Sequence, residues 1–186
     1  MPIAGIEIKA GLKIGKIWNV PEIAGAGDGI LVLPTTLKRD AGVDVDDSMS
    51  RVFAKDGSPT QVKVDGEIPF YLRYDGDDLL LALFLGVAGA PTQIGATIAY
   101  QYKYAWASSL DGIFATFLKN MKIYLKEFAS IKAKSLTIKG EVGRPLQASL
   151  GIIASNGVEV SAPTIYDGLI TGVPGLYGSL YCPVNK

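Results

Sequence analysis

QVKVDGEIPFYLRYDGDDLLLALFL, residues 61–85, reads as a long strand running straight into a short apolar helix. Val62, Val64, Gly66, Ile68, Phe70, Leu72 and Tyr74 alternate with Gln61, Lys63, Asp65, Glu67, Pro69, Tyr71 and Arg73, the period of two that marks a sheet with one buried face. At roughly 3.3 Å per residue the run spans about 45 Å, well beyond the usual strand of about 5 to 6 residues. Pro69 has no N–H for a ladder and Gly66 has no side chain to pack, so a bulge or an edge position is expected near them. Asp75 fits the N-cap of the helix. Asp77 and Asp78 fit its first turn, where the helix dipole favours carboxylates, and Gly86 fits a left-handed stop.

The surrounding composition suits that strand. Hydrophobic residues make up 48% of the 186 and charged ones 19%, with 22 Gly and 10 Pro, which points to a packed, turn-rich, mainly β protein of one domain spanning residues 1–186. The formal net charge is zero, yet residues 1–93 carry 9 Lys plus Arg against 13 Asp plus Glu, and residues 94–186 carry 9 against 5. The halves are therefore −4 and +4, a separation that suits head-to-tail association when it falls on two faces and is otherwise surface scatter. Cys182 is the lone cysteine and there is no histidine, so an intramolecular disulfide is excluded and the commonest general base and metal ligand are missing. No basic segment followed by an apolar core opens the chain, and the apolar run 79–91 is too short and Gly-broken to cross a bilayer. These features point to a soluble protein made inside the cell.

In chain order, residues 1–29 read as an N-terminal arm with a Gly-weakened strand through Ile6, Ile8, Leu12 and Ile14. Gly25, Gly27 and Gly29 lack the spacing and the following helix of a phosphate-binding loop, and Ile30 begins a short strand ended by Pro34. Residues 38–59 read as a long polar loop carrying Asp40, Asp44, Asp46, Asp47 and Asp56. Without the turn glycine and closing glutamate of a calcium loop, this cluster reads as a solvated loop. Residues 97–106 again alternate, placing Ile98, Tyr100, Tyr102, Tyr104 and Trp106 on one face. A sheet face, a subunit interface and a base-stacking platform stay open there, the last weakened because Lys103 is the one nearby cation. Phe114, Phe117, Leu118, Met121, Leu125 and Phe128 fall at helical spacing within β-rich surroundings. Residues 131–154 read as a hairpin, with Leu136 and Ile138 inward on the first strand and Leu146, Ala148, Leu150, Ile152 and Ala154 inward on the second. Lys119, Lys122, Lys126, Lys132, Lys134 and Lys139 form a basic patch, read as a solvated face or a phosphate contact. Residues 155–186 are Gly/Pro-rich loop with room for one strand.

No constellation carries catalysis. Ser109 and Asp111 lack a histidine, and no carboxylate pair stands apart from turn or capping duties. No enzyme activity, cofactor or metal is expected.

The stretch Tyr71-Leu-Arg-Tyr-Asp-Gly-Asp-Asp-Leu-Leu-Leu-Ala-Leu-Phe-Leu-Gly86 resembles the tail tube, or major tail, proteins of long-tailed bacteriophages. The likeness continues in Gly112-Ile-Phe-Ala-Thr-Phe117, Lys126-Glu-Phe-Ala-Ser-Ile-Lys-Ala-Lys-Ser-Leu-Thr-Ile138 and residues 140–154. It implies a β-sandwich or half-barrel with one short flanking helix, assembling as hexameric rings stacked into a tube through which double-stranded DNA passes without sequence specificity. It also implies strands, not a helix, on either side of a turn near residues 119–122. By the same likeness the N-terminal arm and the loop at 38–59, with Asp40, Asp44, Asp46 and Asp47, become inter-ring or inter-subunit contacts; Tyr100, Tyr102 and Tyr104 are expected at such contacts too, buried in the fold or between subunits in a tube and left exposed in a binding module. Partners are further copies of the chain and the tape measure, tail-tip and terminator proteins; the protein is made in the host cytoplasm and ends in the virion tail. Many relatives run on well past a segment like 155–186, so a minimal form and an incomplete product both stay open. Two other readings also stay open: a carbohydrate-binding β-sandwich that stacks sugars on the aromatic row, and the inner tube of a contractile injection system.

Overall fold

The computed structural model describes residues 9–25, 27–45, 57–73, 76–120 and 125–160. Among them lie β1 Lys9–Ile14, β2 Gly29–Ile30, β3 Lys38–Val45, β4 Gly57–Tyr71, α1 Asp78–Leu85, β5 Gly86–Ala88, β6 Thr92–Gln93, β7 Tyr100–Gln101, β8 Tyr104–Trp106, β9 Ala115–Asn120, β10 Leu125–Lys139, β11 Gln147–Ala154 and β12 Asn156–Val160. Eight of the strands form one open antiparallel sheet in the order β2-β1-β9-β10-β11-β4-β3, with β12 also on β10. The fold is mainly β with one flanking helix.

β10 is the spine of this sheet. Ile153 of β11 lies opposite Lys132, and Asn156 of β12 lies opposite Ala129, so β11 and β12 run along one edge of β10 in a single register. The register of β10 shifts twice, between Phe128 and Ile131 against β9 and between Ala133 and Ser135 against β11. At the first shift Ser130 has a φ of 51°. An extra residue on one strand bends it and increases its twist, which curves the sheet around its core.

The alternation along β4 is real: Val64, Ile68, Phe70 and Leu72 are buried, while Lys63 and Glu67 are exposed. Against β11 the register runs unbroken from Val64 to Tyr71. On the other side, pairing with β3 stops at Asp65. Beyond it an irregular segment takes over, with Leu33 N–H donating to Pro69 O at 2.7 Å and Thr36 N–H to Glu67 O at 3.1 Å. Pro69 therefore sits where no regular strand demands its missing N–H, as expected of an edge position, and the bulge lies further back, between Ala41 and Val43 on the β3 side. Gly66 marks the close approach: with φ at 154°, a Cβ there would lie 2.7 Å from the Leu37 Cα. Gly66→Ala is expected to lower unfolding stability by about 1–2 kcal/mol, read as a reduced urea midpoint.

The helix lays Leu80 and Leu83 into the main core, with Phe70, Leu72, Phe117, Phe128, Ile131 and Leu150. Its stop is Gly86, at φ 88°, whose N–H reaches Ala82 O. Its N-cap is Asp77, not Asp75, which lies outside the described residues. The Asp77 side chain makes no capping bond; it accepts the Arg73 N–H at 2.6 Å, and the Arg73 guanidinium donates to Leu31 O at 3.2 Å. The carboxylate thus ties the helix start back to the strand end.

Three expectations need correction, and a fourth point, the choice between helix and strand at 114–128, falls to the strands that the resemblance implies. Residues 38–59 are not one loop: 38–45 form β3 and 57–59 begin β4, leaving 46–56 outside the described residues. The strand was hidden because Lys38–Ala41 are all exposed, so no apolar face betrays its period, and main-chain pairing with β4 holds it. The strand expected through Leu12 and Ile14 is present as Lys9–Ile14, but it is no free arm, since it pairs with β9 and sets Ala10 and Leu12 in the core; residues 1–8 lie outside the described ones. The helical spacing at 114–128 belongs to β9 and β10. Phe117 packs into the main core while Leu118 packs on the opposite face with Leu125 and Ala24, and burial on both faces erases alternation. Ile138 is 55% exposed, not inward. The hairpin of β10 and β11 stands as expected, as does a strand, β12, at the start of residues 155–186; residues 161–186 lie outside the described ones.

Candidate functional site

Two surfaces of the described residues hold apolar side chains in water. The first begins where the helix stops. β5 pairs with β8 and β6 with β7, Gly89 N–H donates to Lys103 O at 2.8 Å, and Ile94 N–H donates to Ala99 O at 2.9 Å. Residues 86–106 therefore form one long hairpin, closed by a turn at 94–99 where Gln93 Nε2 donates to Thr97 O at 2.6 Å. Among the described residues it pairs only with itself. Every residue from 89 to 103 is exposed, Ile98 is 98% exposed and Trp106 71%, and the one charged residue in 86–106 is Lys103. A hairpin of this kind is at best marginal alone in water, so its base has to be anchored.

The anchor is visible. The Tyr104 hydroxyl donates to the Asp78 carboxylate at the start of the helix. Trp106 meets Phe84 edge-on at 5.2 Å, and Ala107 N–H donates to Leu85 O at 2.8 Å. Burial first, and then the Asp78 bond, push the Tyr104 hydroxyl above the ordinary tyrosine range, so the proton stays on the donor at neutral pH. Gly86 is needed for the close approach, since a Cβ there would lie 2.5 Å from the Ala107 Cβ.

The second surface is the loop after β1. Gly15 N–H donates to Phe114 O at 2.9 Å, Asn19 N–H to Ser130 Oγ at 2.7 Å and Glu22 N–H to Thr116 Oγ1 at 3.0 Å. Trp18 stands edge-on to Phe114 at 5.4 Å, with the Lys132 ammonium 5.4 Å from a Trp18 ring centroid. Pinned in this way, the loop leaves Ile17, Trp18, Val20 and Ile23 exposed. Contiguous exposed apolar surface of this sort marks interaction sites.

Of the expected contact residues, Tyr100 and Tyr102 are exposed on the hairpin and Tyr104 is its anchor. Asp40 is exposed on β3, Asp44 belongs to β3, and Asp46 and Asp47 lie outside the described residues. The tyrosines and the aspartates thus belong to different elements. Sequence reasoning missed Val87 and Ile94 on the other leg of the hairpin, and the loop around Trp18. Their signal is only the aperiodic run Ile17-Trp18-Asn19-Val20 beside a Pro. Among the described residues no group of three or more His, Cys, Asp or Glu is placed to hold a metal, and no helix is long and apolar enough to cross a membrane.

A family model described as phage tail tube protein matches residues 9–179. No curated protein sequence matches the chain. Among solved structures, the SPP1 tail tube is similar in fold at 14% identity, over 96% of this chain and 91% of that one, with a TM-score of 0.52. A chain of the six-fold symmetrised anti-feeding prophage baseplate is similar at 8% identity, over 87% and 97%, with a TM-score of 0.54.

Proposed function

The chain belongs to the phage tail tube protein family, and on that footing we propose that it is the subunit of hexameric rings stacked into a tail tube, a conduit for the genome. The family is structural and not an enzyme class. The observation that supports this reading most is the hairpin 86–106, which holds Ile94, Ile98, Tyr100 and Tyr102 in water on a base fastened to the helix. A ring buries such a surface between neighbours. Closing a ring head-to-tail needs two different surfaces on each copy. The hairpin and the Trp18 loop are two such surfaces, and β3, at the end of the sheet order, offers an edge for strand addition.

In this reading Tyr100, Tyr102 and Tyr104 serve contacts within a ring, while Asp40, Asp44, Asp46 and Asp47 serve contacts between rings. Tape measure, tip and terminator proteins meet the ends of the tube. Passing DNA is held weakly and without sequence preference, because a conduit must let its cargo slide. An inner tube within a contractile sheath shares the ring principle, and a co-purifying sheath protein decides between the two.

Negative-stain electron microscopy of the purified chain, with its mass from light scattering, is expected to give six-fold rings or hollow tubes. A monomer that persists at high concentration overturns the proposal, and glycan binding through Tyr100 and Tyr102 would then favour a carbohydrate-binding module.

A further inference from the structure

The charges around the Trp18 loop have partners: Lys13 meets Asp28 at 2.7 Å, Lys16 meets Glu22 at 3.7 Å, and the Lys132 ammonium stands over Trp18. Glu127 is the exception. It lies on β10 in register with Leu118 of β9 and Val158 of β12, on the face where Leu118 and Leu125 pack with Ala24. Among the described residues no ion pair or side-chain hydrogen bond reaches its carboxylate. Burial without a compensating charge pushes that carboxyl above the ordinary carboxylate range. The loop crosses nearby, with Asn19 fastened to Ser130 of β10 and Glu22 to Thr116 of β9, and leaves Glu127 half-buried. Ile23 and Val158, the apolar groups around it, are exposed. A carboxylate held partly out of water in an apolar frame is costly until a cation meets it.

The hairpin 86–106 carries the complementary pattern. One face of its base is occupied by its own helix, where Tyr104 meets Asp78 and Trp106 meets Phe84. Successive strand residues point to opposite faces, so Ala105, its cross-strand pair Val87, and Lys103 face away from that helix. Lys103 is exposed and is the one charge in the hairpin; among the described residues no partner holds its ammonium. Within one copy the two charges are on opposite sides of the sheet. The helix that bears the hairpin packs on the face of Phe117 and Phe128, whereas Glu127 shares the other face with Leu118. The cation that meets Glu127 therefore comes from another copy. Resting on the ring reading, we propose that the hairpin of one copy docks across this face of the next, its Lys103 ammonium on the Glu127 carboxylate and its Val87 and Ala105 against Ile23 and Val158. A surface on the helix side and its complement on the opposite side make a heterologous contact, the kind that closes a ring. A lone ion pair among apolar groups fixes the register of docking, because any shifted arrangement leaves both charges desolvated and unpaired.

The test removes one charge at a time from the full chain. Glu127→Gln and Lys103→Gln are each expected to weaken assembly about a hundredfold by light scattering, because the remaining charge is left desolvated and alone. At dilutions where the chain is a monomer, the urea midpoint of Glu127→Gln is expected to hold or rise, since no bond within the copy is lost. Unchanged assembly in either variant overturns the proposal, and so does a lowered midpoint, which would place the partner of Glu127 within its own copy. Carbodiimide, which couples a carboxylate to an amine in direct contact, reads the pairing itself. Nitrogen-15-labelled and unlabelled chains, mixed as monomers and then allowed to assemble, are expected to give a coupled Lys103–Glu127 peptide pair with one partner labelled and the other not. Its absence overturns the contact even where rings appear in micrographs, and a pair found only with matching labels does the same. A mixed pair from an assembly whose mass is not that of six copies keeps the contact and overturns the six-fold ring.

Discussion

A chain in which residues 90–102 are replaced by Asn-Gly is expected to stay folded and to lose ring assembly altogether. The replacement joins Gly89 to Lys103, already bonded to each other, by the two-residue turn that a hairpin favours. Everything removed is exposed, and the anchors Tyr104 to Asp78 and Trp106 to Phe84 remain, so unfolding stability should change by less than about 1 kcal/mol. Assembly is another matter. Ile94, Ile98, Tyr100 and Tyr102 go together, and buried aromatic anchors in an interface are worth about 2 kcal/mol or more each. Losing two of them weakens association by roughly a thousandfold. Light scattering on the wild-type and shortened chains, with circular dichroism to confirm the fold, reads the result. A shortened chain that still gives a six-copy mass removes the hairpin from the interface.

Replacing residues 46–56 by Asn-Gly is expected to leave rings intact and abolish tubes. The excision is bounded by the Val45–Gly57 pair, so the β3–β4 ladder survives. A wider deletion from Asp40 onward would strip six of the eight residues of β3 and bare the edge of β4, confusing loss of fold with loss of stacking. Single rings with no stacks, at protein concentrations where wild type forms long tubes, is the expected picture in micrographs. Tubes of ordinary length would show that another element carries the contact between rings.

Legibility differed from element to element for physical reasons. The strand from 61 to 71, the helix stop at Gly86 and the hairpin of β10 and β11 were plain, because each has one wet face and one dry one, or a turn residue with a single purpose. Strand β3 was not, because its exposed Lys38–Ala41 stretch carries no dry face. Strand β9 was not, because both of its faces are dry. The row Tyr100, Tyr102 and Tyr104 was found by its period, but its place was not: the same alternation serves a core sheet or a hairpin standing in water.

The sequence by itself determined the class of the fold, the long strand that leads into the helix, the sheet-to-helix junction and the likeness to tail tube proteins, since these rest on local periodicity and on turn residues. Only the tertiary structure decided which surfaces are open. The hairpin's exposure depends on Gly86, Tyr104 and Trp106 meeting Ala107, Asp78 and Phe84. The Trp18 loop depends on Gly15, Asn19 and Glu22 meeting Phe114, Ser130 and Thr116. Both juxtapositions join residues far apart in the chain, and side chains of the same chemistry read alike in sequence whether folding buries them or leaves them for a neighbour.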